Sequence, residues 1–358
     1  MTSMFSPINI RDLQIPNRIW MSPMCQYSCE AQDGTPTDWH KVHLGTRAIG
    51  GAGLIMAEAT AVTPEGRITP WCTGIWNEEQ GQAWAEIVEF IEAQGSVPAI
   101  QLAHAGRKGS SHRAWSGTGS VDISEGGWET VSASSIAFDT FERPRQLETA
   151  EVYQLVKDFV EATTRAVAAG FKMVEVHAAH GYLIHQFLSP ISNTRDDEFG
   201  GSLENRSRLL TEIVQGIRQE HPELPLLVRF SATDYAPDGW DLEQTIEVAT
   251  KCRALGADLF DISSGGLITG VKIPTGPSYQ AHFAAELKTS IGENDVVSAV
   301  GQITEVEQAN ELVSSGRVDA VMLGRQLLRD PYWPLRAAHE LGEEINWPNQ
   351  YLRGKFPN

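Results

Sequence analysis

Basic charge is scarce in this 358-residue chain: 28 Lys and Arg stand against 46 Asp and Glu, a formal net charge of -18. A nucleic acid or an anionic membrane surface would be repelled by that balance, so neither is expected as a partner. Long apolar runs are missing too. Stretches such as Gly53-Leu54-Ile55-Met56-Ala57 fall far short of the roughly 20 residues that cross a bilayer. The N-terminus shows neither the basic start nor the apolar stretch of a signal peptide, so a cytosolic (cytoplasmic) location is expected. Cysteine is rare. Cys25, Cys29, Cys72 and Cys252 are irregularly spaced, which suits reduced thiols better than a disulfide framework. A lone Cys-x-x-x-Cys pair without a second pair nearby does not make a structural zinc site, and no metal is expected.

What is present suits a soluble globular protein with a sizeable core, since 41% of residues are hydrophobic, 21% are charged and nothing is low-complexity. A short cassette, glycine at a helix end followed by an apolar run, recurs four times: Gly51 to Gly53 before Leu54–Ala57, Gly170 before Met173–Val176, Gly256 before Leu259–Ile262, and Gly316 before Val318–Leu323. Arg18–Met21, Val97–Leu102, Leu224–Phe230 and Val296–Val300 bring the candidate strands to eight. Helical spacing fills the intervals, over Asp38–Ile49, Glu78–Ala93, Thr149–Ala169, Ser202–Arg218, Leu242–Leu255, Ala281–Ile291, Thr304–Ser314 and Pro331–Leu341. This alternation predicts an α/β fold, a single (β/α)8 TIM barrel forming one domain over residues 1–358. A doubly wound sheet would offer about five or six strands and a Gly-rich turn after the first. Here the first strand runs into Ser22-Pro23-Met24-Cys25 instead. Ala103–Leu147, rich in Gly, Ser and Trp, reads as a long excursion after the third strand, a candidate lid over the barrel mouth.

Such barrels carry their chemistry at the C-terminal ends of the strands. Cys25, Glu58, Thr60, Gln101, His177, Arg229, Ser263, Ser264, Gly301 and Gly324-Arg325 all fall there. Gly301 and Gly324 would allow a phosphate to approach the backbone, with Arg325 as a bidentate partner. Turn glycines beside a surface arginine would look the same. The densest signal is His177-Ala178-Ala179-His180-Gly181-Tyr182-Leu183. A metal would need a third ligand that does not declare itself, and two imidazoles with a phenol are more than a packed core histidine requires.

Taken together, Asn17-Arg18, Ser22 to Tyr27, Gln101 to Arg107, His177 to Leu183, Asn193 to Asp197, Gly200 to Arg206 and Gly324-Arg325 resemble the old yellow enzyme family of flavin mononucleotide (FMN) ene-reductases. Cys25 with Tyr27, and a histidine at 180, are similar to its thermophilic-like branch with the xenobiotic reductases. The resemblance implies that Ser22, Pro23, Met24, Cys25, Ala57, Gln101, Arg229, Gly301, Gly324 and Arg325 hold FMN, with Arg229 at the N1 and O2 edge of the ring and Arg325 on the phosphate. An arginine near N1 would stabilise the electron-rich reduced ring; a buried ion pair with a barrel carboxylate is the alternative, and flavin is the simpler partner.

It further implies that NADPH or NADH reduces the flavin and that an activated alkene, conjugated to a carbonyl or nitro group, then takes its place. His177 and His180 would bind the activating oxygen with help from Tyr27, Cys25 would line the ring, and Tyr182 would protonate the α-carbon. Arg353 resembles an arginine that this branch inserts into a neighbouring subunit, which implies a homo-oligomer. A phosphate-binding barrel lyase or isomerase without flavin remains the alternative reading, as does a flavin-storing module without turnover. The lyase would want a lysine or carboxylate pair at strand ends, and no strand here ends on lysine.

Overall fold

A computed structural model describes residues 2–292 and 295–356. Its centre is a closed barrel of parallel strands, here labelled β1 (Ile19–Met21), β2 (Leu54–Ala61), β3 (Val97–Ala103), β4 (Met173–Ala178), β5 (Leu226–Ser231), β6 (Leu259–Ser263), β7 (Val296–Ala299) and β8 (Ala320–Leu323). Each strand pairs with its sequence neighbours, and β8 closes on β1 in the register Met21 to Leu323. The expected barrel is therefore the observed one.

Helices α1 (Asp38–Ile49), α2 (Glu78–Ala93), α3 (Thr149–Ala168), α4 (Leu183–Leu188), α5 (Leu203–Glu220), α6 (Leu242–Ala254), α7 (Ala281–Ile291), α8 (Val306–Ser314), α9 (Arg325–Arg329) and α10 (Trp333–Leu341) complete the chain. Their starts follow from side-chain caps: Asn77, Ser202 and Asp241 each accept a backbone N–H of the first turn of α2, α5 and α6. Helices α3 and α6 run into Gly170 and Gly256, whose φ values of 97° and 107° turn the chain back toward β4 and β6.

The core has two layers. Trp20, Leu54, Met56, Ala99, Met173, Leu227, Leu259 and Met322 fill the barrel interior, while Ile55, Ala57, Ile100, Val174, Phe260 and Val321 face the helices. An antiparallel hairpin, Ile8–Ile10 with Leu13–Ile15, adds Ile8, Ile10 and Ile15 to the interior layer and stops the N-terminal mouth. Among the described residues, this leaves the C-terminal mouth of the barrel open.

Several strands run further than expected. β2 extends to Ala61 with a bulge between Ala57 and Ala59, so Glu58 and Thr60 lie inside the strand, and His177 lies inside β4. The excursion is not featureless. It holds 3-10 turns at Gly106–Lys108 and Ile123–Glu125 and a short parallel pair, Val131–Ser132 with Arg145–Gln146. Arg107 and Lys108 clasp it over the mouth: Arg107 donates to the carbonyl of Leu267 at 2.7 Å, and Lys108 Nζ to those of His180 at 2.8 Å and Gly266 at 3.0 Å.

Candidate active site

The loop after β4 is fixed by backbone constraint. His180 has φ 58° and Gly181 φ 73°, and a Cβ on Gly181 would lie 2.2 Å from the Gly266 oxygen, so only glycine fits there. Gln186 ties this turn to the excursion, donating to the carbonyls of Gly181 at 2.7 Å and Ala105 at 3.1 Å. His185 accepts the Gly181 N–H on Nδ1 and contacts Asp234 at 3.0 Å through Nε2, both side chains fully buried.

On this frame the rings of His177, His180 and Tyr182 converge. His177 lies 5.2 Å from His180 and 5.1 Å from Tyr182, centroid to centroid, both edge-on. His177 Nδ1 accepts the Ala179 N–H at 3.3 Å, which leaves its proton on Nε2. His180 Nε2 lies 2.7 Å from Ser263 Oγ. Burial holds both imidazoles well below their ordinary range, aided by the positive charge of Arg229. Burial likewise pushes the Tyr182 phenol up, with Cys25 adding to it, while Tyr27 is raised first by Cys25 and then by burial. Neutral donors therefore line the pocket, and Tyr182 keeps its proton.

Cys25, Tyr27 and Tyr182 pack on one apolar patch with Ala59, Ile68, Cys72, Ala103 and Ala105. Trp115 of the excursion, 65% exposed, stands 6.0 Å from Tyr27, so the lid reaches the site. Cys25 is partly exposed, and its thiol is raised by burial and then by the charge of Glu58. Ala57 faces the helix layer with its methyl, so only its backbone borders the mouth.

Arg229 does have the barrel carboxylate that the sequence left open. Its Nε lies 3.1 Å from Asp261, which also accepts from Ser298 at 2.9 Å, and its Nη1 donates to Ser22 Oγ at 3.3 Å. Gln101 Nε2 donates to Glu175 at 2.6 Å, and burial, with Asp261 adding, pushes Glu175 up to about 8. A cleft of about 420 Å³ opens beside this belt, lined among others by Ser263, Gln280, Gly301, Gly324, Arg325 and Arg329. Among the described residues no carboxylate pairs with Arg325 or Arg329. Ser263 joins the two halves, since it lines the cleft and touches His180. Pro23 and Met24 lead from Ser22 to Cys25 along the same rim, and Met24 Sδ would lie 3.6 Å from a Cβ on Gly324.

Sequence reasoning missed Lys108, Glu175, Asp261 and Gln280. Lys108 sits 5.0 Å from the Tyr182 ring, and burial, then Arg107, lowers its ammonium to about 8. The Gln101 to Arg107 stretch pointed at its neighbourhood, but a lysine one residue beyond carries no periodic signal. Arg353 lies on an exposed 3-10 helix, Asn349–Gly354, away from the cleft lining.

Residues 3–344 match the sequence profile of the NADH:flavin oxidoreductase / NADH oxidase family. The chain belongs to that family. It is 44% identical to an NADPH dehydrogenase of Geobacillus thermodenitrificans (strain NG80-2) over 99% of its own length and 98% of that protein. A Listeria monocytogenes NADPH dehydrogenase, serotype 4b (strain CLIP80459), is also 44% identical, over 99% of both chains. Among solved structures, morphinone reductase aligns with a TM-score of 0.78 at 28% identity, covering 97% of this chain and 91% of that one. A 2-naphthoyl-CoA reductase gives 0.85 at 28% identity over 95% of this chain, which spans about half (52%) of that longer protein. The resemblance to old yellow enzyme thus holds, and with it an oxidoreductase that works with FMN and a nicotinamide reductant. A lyase or isomerase without flavin is set aside. No described helix is long and apolar enough to cross a membrane.

Proposed function

We propose that the protein is an ene-reductase: an NAD(P)H-dependent flavin oxidoreductase that reduces the C=C bond of α,β-unsaturated carbonyl or nitro compounds. The observation that carries this is the convergence of three neutral rings, His177, His180 and Tyr182, at the edge of a cleft whose far side offers two arginines that pair with no carboxylate among the described residues.

The residues fit FMN. Arg325 and Arg329 suit one phosphate dianion, which favours the mononucleotide over a dinucleotide. Buried Arg229, 4% exposed, forms an ion pair with Asp261, donates to Ser22 and retains others of its five N–H groups for a ligand. Ser22, Pro23, Met24, Cys25, Gln101, Gly301, Gly324 and the Ala57 backbone would complete the binding surface. Bound there, FMN would supply a hydride taken from NADPH or NADH and given to the alkene β-carbon.

The chain's own contributions follow from its protonation states. His177 Nε2–H faces the activating oxygen as a preorganised donor and His180, with Tyr27, shapes the same subsite, so negative charge growing on that oxygen is met without reorganisation. Tyr182 retains its proton until the α-carbon becomes basic, then releases it to that carbon. Because nicotinamide and alkene use one pocket, they bind in turn and turnover is ping-pong. We extend the reading to assembly: Arg353, among exposed Tyr351, Leu352 and Phe356, would reach the site of a second copy. Sedimentation of wild type and Arg353→Ala tests that extension.

The reading as a whole is tested by the visible spectrum of purified protein and by anaerobic addition of NADPH, then 2-cyclohexenone. Bleaching followed by recovery of colour with formation of cyclohexanone is expected. A bleached flavin that the enone leaves unchanged would overturn the ene-reductase assignment.

A further inference from the structure

Glu58 is a buried carboxylate, 4% exposed, that the mechanism above does not use. Two N–H groups face it. Its Oε2 accepts the backbone N–H of Gln26 at 2.9 Å, and its Oε1 lies 3.1 Å from Nε2 of His40, itself 1% exposed. His40 has no choice of tautomer. Its Nδ1 accepts the Thr37 N–H at 2.9 Å, closing the capping box of α1, so Nε2 carries the proton beside Glu58 Oε1.

The other end of this chain of contacts is the loop that bears Cys25 and Tyr27. Gln26 stands between those two residues, and its side chain donates to the Met24 carbonyl at 2.7 Å and accepts from Trp39 of α1 at 3.0 Å. Tyr27, next in sequence, has φ 52°, an expensive conformation for a tyrosine that must be held from outside. The Gln26 N–H, one residue before it, is anchored by no other described acceptor.

We propose that Glu58, oriented by His40, is a positioning residue that sets where Cys25 and Tyr27 stand and fixes a negative charge beside the Cys25 thiol. This rests on the assignment of Cys25 and Tyr27 to the site. The carboxylate is needed as such, because both facing groups are donors and an amide would turn an N–H toward one of them. Its charge adds to burial in disfavouring the thiolate, so Cys25 stays a neutral donor beside an electron-rich partner.

Two substitutions separate charge from reach. Glu58→Gln removes the charge at nearly constant length, and Glu58→Asp keeps the charge but withdraws the oxygens by one methylene. Alkylation of Cys25 by iodoacetamide is followed by mass spectrometry in flavin-stripped, full-length protein, and binding of p-hydroxybenzaldehyde is followed in the holoenzyme by its spectral change. Glu58→Gln should speed alkylation at pH 8 about tenfold, because the carboxylate's charge no longer disfavours the thiolate. Glu58→Asp should leave alkylation near wild type and weaken p-hydroxybenzaldehyde about tenfold through a displaced Tyr27. Folded variants that stay within twofold of wild type in both measurements overturn the proposal. Loss of the folded circular dichroism spectrum in both variants overturns it as well, in favour of a purely structural carboxylate. Alkylation needs no flavin, so a colourless protein would defeat the proposed function without deciding this point.

Discussion

Replacing His177 with alanine isolates one donor. Its Nδ1 is committed to the Ala179 N–H at 3.3 Å, so the variant deletes a single Nε2–H and nothing that holds the loop beyond that bond. One preorganised donor to a developing oxyanion is worth about 10²- to 10³-fold, roughly 2.7–4 kcal/mol. The lower end applies here, because the imidazole is neutral and the vacated space admits a water that donates in its place; about 10²-fold is expected. His180 is placed differently. Its Nε2 faces Ser263 Oγ, whose own proton goes to Gln280 Oε1 at 3.2 Å, so the nitrogen serving Ser263 is already occupied. His180→Ala should therefore cost less, on the order of tenfold. Stopped-flow reoxidation of NADPH-reduced enzyme by 2-cyclohexenone measures both losses apart from flavin reduction. A loss below threefold for His177→Ala, or a chelator that abolishes activity together with a stoichiometric bound metal, would refute the reasoning.

Arg325→Ala should release FMN on gel filtration and raise its Kd at least about tenfold, as loss of a charge-assisted phosphate contact implies, with an unchanged circular dichroism spectrum. Tyr182→Phe should slow enone reduction while leaving NADPH-driven bleaching near wild type; equal slowing of both steps would remove Tyr182 from protonation. The Lys108 ammonium, lowered to about 8 by burial and then Arg107, bridges the His180 and Gly266 carbonyls near His177 and Tyr182. Enone reduction should fall as pH rises through about 8, and Lys108→Met should flatten that limb of the profile. Glu175, raised to about 8 by burial and then Asp261, holds its proton in the folded state where the unfolded chain, near 4.5, does not. Its contribution to stability is full below about pH 4.5 and is lost as pH rises through about 8, so Glu175→Gln should raise Tm relative to wild type at pH 9 and not at pH 4.

Periodicity predicts α1, α2 and α7 with their observed bounds, because each is amphipathic and closed by recognisable end signals. The strands were placed correctly, but β2 to β6 were cut short at their C-terminal ends, while β1, β7 and β8 were drawn one or two residues too long. Glu58, Thr60 and His177 are polar, which reads as a loop, yet they lie within the strands, where the Gln26 N–H satisfies Glu58, the Glu58 carbonyl and Thr73 satisfy Thr60, and the Ala179 N–H satisfies His177. Helices α4 and α9 span too few residues for a period to emerge. Asp261 opposite Arg229 is a cross-strand partner in the β5–β6 register, and single-sequence reading has no access to such pairs. The site residues were named because their types are costly at strand ends. Lys108 and Gln280 were missed because their roles come from backbone carbonyls and hydroxyls brought from distant loops.

The seam between Met21 and Leu323 joins the first barrel strand to the last. Until the ribosome has released residues up to Leu323, the nascent sheet keeps two raw edges, the kind of surface on which chains aggregate. The phosphate end of the cleft, Gly324 and Arg325, emerges immediately after that final strand. Colour in the growing chain would thus report completion of the ring, and truncations ending before Ala320 should appear as uncoloured, chaperone-bound or insoluble material.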